Sequence, residues 1–249
     1  MSAPARPFPL PPIHVLIPAA GGGTRMATGT GNAASKLMLP VGGVPVLLRT
    51  LRTFLRHPGI DRVLLVVADK DRNQVLALCE KEGCKARVDL ASGGPSRQES
   101  VRRGLEVLSR DASDDDLVLI QDGARCFTDT ATIDRCIAEA LASGACCAAM
   151  PLKDTIKETD AERIVVGTPD RTRYWQIQTP QAFRFGLIRE AYRMAHEKSV
   201  TATDDASLAE AAGHPVRLVE GSYLNIKITT PDDLLFGEAI AAEQDRTRG

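Results

Sequence analysis

No apolar run in this 249-residue chain approaches the roughly 20 residues needed to cross a bilayer as a helix. Its first dozen residues, MSAPARPFPLPP, lack the long apolar core of a signal peptide, and their prolines predict a loose tail over residues 1–12. The six cysteines (Cys79, Cys84, Cys126, Cys136, Cys146 and Cys147) contain no C-x-x-C pair of the kind found in zinc or redox sites. Charge excess is missing too, since a formal net charge of -1 offers no general attraction to nucleic acid or to a membrane. A reduced, cytoplasmic protein is therefore expected, with neither nucleic acid nor membrane as partner. Two phosphate motifs are also absent. The P-loop spacing does not occur, and the dinucleotide pattern G-x-G-x-x-G fails because Met26 stands at its last position.

What is present is the composition of a globular domain, 43% hydrophobic and 25% charged, in a chain long enough to bury a proper core. Its organising stretch is Ile13 to Lys36. Ile13 to Ile17, interrupted only by His14, reads as a buried strand, and Pro18, Ala19, Ala20, Gly21, Gly22 and Gly23 follow at once. Glycines without Cβ can reach φ > 0 and turn several N–H groups toward one anion. Arg25 and Lys36 add full positive charge beside that nest, and an arginine can grip phosphate oxygens through two parallel hydrogen bonds. The combination predicts a polyphosphate site; a plain flexible turn is the other reading of the same glycines.

Along the rest of the chain, helix and strand patterns alternate. Val44 to His57 and Asp69 to Glu82 have helical spacing, Arg62 to Val67 is a continuous apolar strand, and Ala86 to Leu90 is a shorter one. Ser96 and Glu99 have capping-box spacing, so a helix starts there, and Gly93 and Gly94 before it either form a second anion- or base-contacting edge or simply lead into the cap. Leu117 to Gln121 is a buried strand ending in Asp122, Gly123, Ala124 and Arg125, at the carboxyl end where open α/β sheets bind ligands. Asp122 is a candidate for Mg2+ or a ribose hydroxyl and Arg125 for a phosphate, or else the Asp only accepts N–H groups of its own turn. A helix over Thr130 to Ser143, closed by Gly144, and a strand over Ala145 to Met150 follow.

Residues 151–175 differ in character. Two short alternating runs, around Asp154 to Lys157 and Arg163 to Val166, predict a β-hairpin arm with too little apolar surface to stand alone, and a second subunit is one candidate for its support. Gln178 to Gln181 reads as a polar turn entering a helix from Phe183 to His196. Thr203 is read as the cap of a helix reaching Ala212, with Asp204 and Asp205 either favouring its dipole or serving as metal ligands. Val216 to Val219 and Leu224 to Ile228 are read as the last strands, whose alternation turns Lys227 away from Ile226 and Ile228. Thr230 and Pro231 open a final helix. The alternation as a whole predicts one doubly wound α/β domain with a mostly parallel sheet over residues 13–243, and a short tail over 244–249.

Taken together, these motifs resemble the 2-C-methyl-D-erythritol 4-phosphate cytidylyltransferases of the non-mevalonate isoprenoid pathway. The matching pieces are PAAGGGTRM (18–26), Lys36, GGPSRQESV (93–101), DGAR (122–125), PLKDTIK (151–157), DR (170–171), TPQAF (179–183), TDDAS (203–207) and NIKITTPDDL (225–234), in family order over nearly the whole chain. The resemblance implies a Rossmann-like nucleotidyltransferase sheet with a protruding hairpin. It also implies transfer of CMP from CTP to methylerythritol phosphate with a divalent cation, normally Mg2+. By motif matching, Arg25, Lys36, Arg171 and Lys227 would be catalytic; Ala19, Ala20, Gly21, Gly23, Gly94, Ser100 and Gly123 would bind the nucleotide; and Asp122, Arg125, Thr155, Arg171, Thr179 and Thr203 would line the acceptor side. Arg171 would act across a homodimer joined by the 151–175 arm.

The residue types suit that chemistry. An attacking phosphate with a second pKa of about 6 needs no side chain to remove its proton, and none of His14, His57, His196 or His214 falls in a matched motif. The chain departs from the family pattern around Lys36, where Ser35, Leu37 and Met38 replace the usual Pro, Gln and Tyr, at Pro95, where an acidic residue is common, and at Cys126, where proline is common. A ribitol 5-phosphate cytidylyltransferase and a non-catalytic CTP-binding module are the rival expectations.

Overall fold

A computed structural model describes residues 10–21, 36–60 and 62–246. Gly23, Arg25, the 27–35 loop, residues 1–9 and residues 247–249 lie outside the described residues. In chain order the elements are β1 (Ile13–Ala19), β2 (Pro40–Val41), β3 (Val44–Pro45), α1 (Val46–Leu55), β4 (Val63–Val67), α2 (Arg72–Lys81), β5 (Val88–Ser92), α3 (Arg97–Leu108), β6 (Leu117–Ile120), α4 (Thr130–Ser143) and β7 (Ala145–Pro151). There follow β8 (Glu158–Thr159), β9 (Val165–Gly167), β10 (Trp175–Arg184), α5 (Phe185–Glu197), α6 (Asp205–Ala211), β11 (Arg217–Glu220) and α7 (Pro231–Arg246).

The main sheet has seven strands in the order β11-β7-β10-β6-β1-β4-β5. All run parallel except β10, which is antiparallel to both of its neighbours. This is the doubly wound, mostly parallel α/β sheet that the alternation predicts. Every residue of β4 and β6 is buried, which explains their unbroken apolar sequences: helices cover both faces of the sheet. One core packs alternate strand residues such as Val15, Ile17, Leu65 and Leu119 against Leu51 and Phe54 of α1 and Ile133 and Ile137 of α4. The other packs Leu16, Val66, Val118 and Ile120 against Val101 and Leu105 of α3, Ile188 and Tyr192 of α5, and Leu208 of α6.

Local signals account for several boundaries. Ser96 Oγ accepts the Glu99 N–H at 3.0 Å, although the Glu99 carboxylate turns to Arg102 and Arg103 instead of reaching back to close a capping box. Pro45 stands immediately before α1, where its missing N–H costs nothing. Gly144 closes α4 with φ +89°.

Elsewhere the sequence reading needs correction. Gln178 to Gln181 is not a turn but the middle of β10, wedged between β6 and β7. Pro180 is accommodated because pairing with β7 is interrupted between Ile177 and Gln181, where the Thr179–Pro180 peptide is cis. The two glutamines are buried with their amides engaged: Gln181 donates to Asp204 at 2.7 Å and accepts from the Ala206 N–H, and Gln178 donates to the Ser222 carbonyl at 2.7 Å.

The helix α6 is capped by Asp204, whose carboxylate accepts the Ser207 N–H, so Thr203 lies outside it. Leu224 to Ile228 forms no strand; its backbone is tied locally and, through the Ile228 N–H, to the Ala124 carbonyl at 2.9 Å. The arm pairs at Glu158–Thr159 and Val165–Gly167, later than the first expected run, as a separate antiparallel ladder on a largely exposed segment. Residues 244–246 belong to α7 rather than to a tail.

Gly104 lets α3 approach the sheet: a Cβ there would lie 2.5 Å from Leu16 Cδ1 and 2.9 Å from Val66 Cγ2. Alanine improves an isolated helix by about 1 kcal/mol, but overpacking a core costs about 1–3 kcal/mol. Gly104→Ala is therefore expected to lower the urea midpoint of unfolding, and an unchanged or higher midpoint would show that α3 is not packed this closely.

Candidate active site

The sheet changes direction of growth between β1 and β6. From β1 the chain builds outward through β4 and β5, and then returns to place β6 on the opposite side. A crevice opens at the carboxyl ends of strands at such a switch point. Ala20 and Gly21 leave β1 there, Asp122 to Arg125 leave β6, and the amino end of α3 arrives from β5. Gly93 sits so close to the β1 turn that a Cβ would come within 2.2 Å of Ala20 Cβ, while the Gly94 N–H donates to Ser100 Oγ at 3.0 Å.

Asp122 is the centre of the site. Its carboxylate accepts from Arg97 Nε at 2.9 Å and pairs with Lys227 Nζ at 2.7 Å, and Arg125 Nε lies 3.9 Å away. Its own N–H donates to Thr179 Oγ1 at 3.0 Å. Burial would raise this carboxyl's pKa, but Arg97 and Lys227 outweigh burial and hold it well below the usual carboxylate range.

Arg97 forks onto Asp205, with Nη1 and Nη2 at 2.9 and 2.7 Å from the two carboxylate oxygens. Burial disfavours its charge, and the Asp205 and Asp122 carboxylates more than compensate, so its pKa stays above the ordinary value. Burial prevails at Arg125, whose pKa is lowered despite Asp122. Arg125 donates to the carbonyls of Asn225 at 2.8 Å and Ile177 at 3.2 Å, and Asn225 in turn donates to the Thr179 carbonyl at 2.9 Å. These bonds tie the segment bearing Lys227 to β6 and β10.

Two clefts open from this centre. One of about 400 Å³ is lined by Ala20, Gly21, Lys36, Ser100 and Gly123, and the other, of about 340 Å³, by Arg125, Gln178, Thr179 and Gln181. Arg97, Asp122, Thr203 and Lys227 line both, so they form the wall between the two. The fold thus gathers the expected nucleotide-side and acceptor-side residues into adjoining spaces. Ala19 is the buried end of β1, and Gly94 lies behind Ser100. Thr155 and Arg171 are exposed on the arm and line neither cleft; Arg171 donates to the Lys153 carbonyl.

Sequence reading overlooked Arg97, Gln181 and Asn225 as site residues and offered Asp205 only as a dipole partner or metal ligand, not as the partner of Arg97. Arg97 carried one signal: a cation in the first turn of a helix opposes the macrodipole, which requires a nearby carboxylate to offset it. Asp205 carried none, because a second aspartate after an N-cap looks like a dipole partner and its pairing with Arg97 spans 108 positions.

A metal centre built by the protein alone is not present among the described residues, where no three His, Cys, Asp or Glu side chains cluster. Asp204 and Asp205 serve instead as helix cap and Arg97 partner. Asp122 is the one described carboxylate on the larger cleft, and both its oxygens face cations. A single carboxylate so engaged would leave almost all of an ion's ligands to be supplied by phosphate oxygens and water.

A doubly wound sheet in which Ala20 and Gly21 after β1, a helix start and an Asp-Gly-Ala-Arg turn meet two cation-walled clefts fits an α/β nucleotidyltransferase. The chain belongs, more narrowly, to the 2-C-methyl-D-erythritol 4-phosphate cytidylyltransferase (IspD) family, whose model matches residues 13–243. It is 45% identical over 233 residues to the protein of that name from Syntrophotalea carbinolica, covering 91% of this chain and 95% of that one. Against the Bacillus velezensis protein of the same name it is 42% identical, with 91% and 94% covered. Among solved structures, 4-diphosphocytidyl-2C-methyl-D-erythritol synthase from Anaerococcus prevotii superposes with a TM-score of 0.80 at 33% identity, covering 92% of this chain and 96% of that one.

The Asp122 cluster should be visible in acid. A carboxyl whose pKa is depressed in the folded state contributes stability above its unfolded pKa of about 3.9 and loses it as pH falls toward the folded value. Asp122→Asn, which leaves Arg97 and Lys227 facing each other, is expected to cost about 1–3 kcal/mol at pH 7, discounted for the partial exposure of the two cations. The gap in melting temperature from the unaltered protein should then narrow progressively as pH falls below about 4 and close only toward the depressed folded pKa, where Asp122 in the native state takes up its proton. A gap independent of pH would mean that the charge of Asp122 is not what holds the cluster.

Proposed function

We propose that this protein transfers CMP from CTP to the phosphate of 2-C-methyl-D-erythritol 4-phosphate, giving 4-diphosphocytidyl-2-C-methyl-D-erythritol and pyrophosphate. The observation that carries this reading, beside family membership, is the shared wall of Arg97, Asp122, Thr203 and Lys227 between two clefts. One cleft has the glycine turn and Lys36 that suit a triphosphate, and the other has the arginine and hydroxyl groups that suit a phosphorylated polyol.

The chemical difficulty is electrostatic. Two anions must approach, and charge builds as pyrophosphate leaves, so fixed cations aimed at that charge do most of the work. Lys227 is held at the junction by Asp122, and Arg97 beside it by Asp122 and Asp205. In this reading Lys36 and the glycine turn, with Arg25, grip the triphosphate, while Ser100 and Gly123 border the nucleoside. Thr179, Thr203 and Arg125 hold the acceptor. No general base is required, because the nucleophile is already an ionised phosphate.

Mg2+ bound with the triphosphate would neutralise phosphate charge, and Asp122 would be the one described carboxylate on that cleft to help hold it. Thr155 and Arg171 reach an acceptor only from another subunit, so the arm is read as the seat of a homodimer. Its exposed Ile164, Val165 and Val166 support that assignment. Among the described residues no helix is long and apolar enough to cross a membrane, and six free cysteines suit the reducing cytoplasm.

The deciding assay is pyrophosphate release from the purified protein with Mg2+, comparing CTP with the other nucleoside triphosphates and methylerythritol phosphate with ribitol 5-phosphate. Release restricted to CTP and methylerythritol phosphate is expected; preference for ribitol 5-phosphate would replace the acceptor, and CTP binding without release would leave a binding module. Lys227→Ala should lower kcat/KM by about 10²-fold or more, and near-normal turnover would remove Lys227 from the mechanism. Mixed dimers of Arg171→Ala and Lys227→Ala chains should regain activity, and failure to do so on verified mixed dimers would count against sites shared between subunits.

A further inference from the structure

Arg97 is the one guanidinium among the described residues that lines both clefts, yet two of the groups that hold it line neither. Asp205, at the start of α6, is 0% exposed, and Tyr192, on α5, is 3% exposed. Asp205 accepts three hydrogen bonds: from Arg97 Nη1 at 2.9 Å, from Arg97 Nη2 at 2.7 Å and from Tyr192 Oη at 2.5 Å. The third remaining edge of the guanidinium, Nε, is on Asp122 at 2.9 Å, and Asp122 holds Lys227. A line of contacts therefore runs from the apolar core between α3 and α5 to the junction of the clefts.

We infer that Asp205 and Tyr192 are positioning residues, which hold the Arg97 guanidinium in one orientation across the cleft junction and, through it, set Asp122 and Lys227. The inference rests on the reaction proposed above and names two residues for it that contact neither cleft. A free arginine side chain samples many rotamers, and a planar fork onto a carboxylate restricts it to one plane. With the plane fixed at Asp205 and Nε fixed at Asp122, the guanidinium that lines both clefts keeps its orientation when charge develops there.

The Tyr192 hydroxyl has no other function in the packing. Its ring lies in the apolar core with Val101, Leu105 and Ile188, where phenylalanine would fill the same space. Burial and the neighbouring Asp205 keep its proton on, so it remains a donor. A pair that merely stapled α6 to α3 would need only the fork; it would not need Nε on Asp122 or an arginine shared by two clefts.

Pyrophosphate release should be measured on the full-length protein and on Tyr192→Phe, Asp205→Asn, Arg97→Lys and the double variant Tyr192→Phe with Arg97→Lys. Loss of one hydrogen bond to a charged group predicts about a 10-fold fall in kcat for Tyr192→Phe, with the KM for CTP little changed. Removing the charge of Asp205 should cost about 10²-fold. The double variant should be no slower than Arg97→Lys alone, because Tyr192 acts through Arg97. Unchanged kcat in Tyr192→Phe, or losses that multiply in the double variant, would overturn the inference.

A second readout is independent of turnover. Solvent exchange of the Arg97 Nε proton, followed by 1H–15N spectroscopy, should be faster in Tyr192→Phe than in the unaltered protein. Should the unaltered protein release no pyrophosphate, the reaction reading fails by itself, and unchanged exchange would still overturn the positioning role. Where Asp205→Asn does not fold, Tyr192→Phe decides.

Discussion

A carboxylate taken out of water stays ionised only if cations replace its hydration, and Asp122 is kept ionised between Arg97 and Lys227. The converse holds for the cations. Both would be pushed apart by their own repulsion were Asp122 neutral, and the wall between the two clefts would not exist. The site is thus held by an alternation of sign, Asp205, Arg97, Asp122, Lys227, in which each member except the last is fixed on two sides. Such an arrangement lets two positive groups stand ready at one junction before any phosphate arrives.

The fold supplies these charges from distant parts of the chain. Arg97 opens α3, Asp122 leaves β6, Asp205 opens α6, and Lys227 lies on the segment that crosses back after β11. Three of the four sit at an element's end, where the backbone turns and a side chain can face the crevice. The switch point between β1 and β6 brings those ends together, and the antiparallel β10 adds Thr179 and Gln181 from the other direction. β10 also carries the chain from the arm back to the sheet, so the arm and the acceptor cleft share one strand. Membership of the cytidylyltransferase family therefore coincides with an arrangement whose physical logic stands without it.

Much of this was legible beforehand. Val63–Val67 and Leu117–Ile120 announced themselves as unbroken apolar runs and Ile13–Ile17 as one interrupted only by His14, and Ser96 with Glu99, and Gly144, marked helix ends through interactions within a single turn. The DGAR turn was placed at a strand's carboxyl end from sequence alone. β10 was not legible, because Gln178, Thr179, Pro180 and Gln181 have the composition of an exposed turn. They are buried only because Asp204, Ala206 and Ser222 satisfy their amides. Leu224 to Ile228 deceived in the opposite way: its alternation is that of a strand, but no strand lies beside it, and its backbone closes on its own turns and on Ala124.

The alternating pattern of the chain carried most of the helices and strands, the doubly wound class and the place of the Asp-Gly-Ala-Arg turn at the end of β6. Those properties follow from side-chain periodicity and turn chemistry acting over a few residues. Only the tertiary structure decided which charges meet. Arg97 finds Asp122 across 25 positions and Asp205 across 108, and no local rule selects those partners over the many other carboxylates of the chain. The selection is made when the two apolar faces of the sheet are covered, because that packing brings the four charged ends together and buries the Asp122 and Asp205 carboxylates, which then need cationic partners.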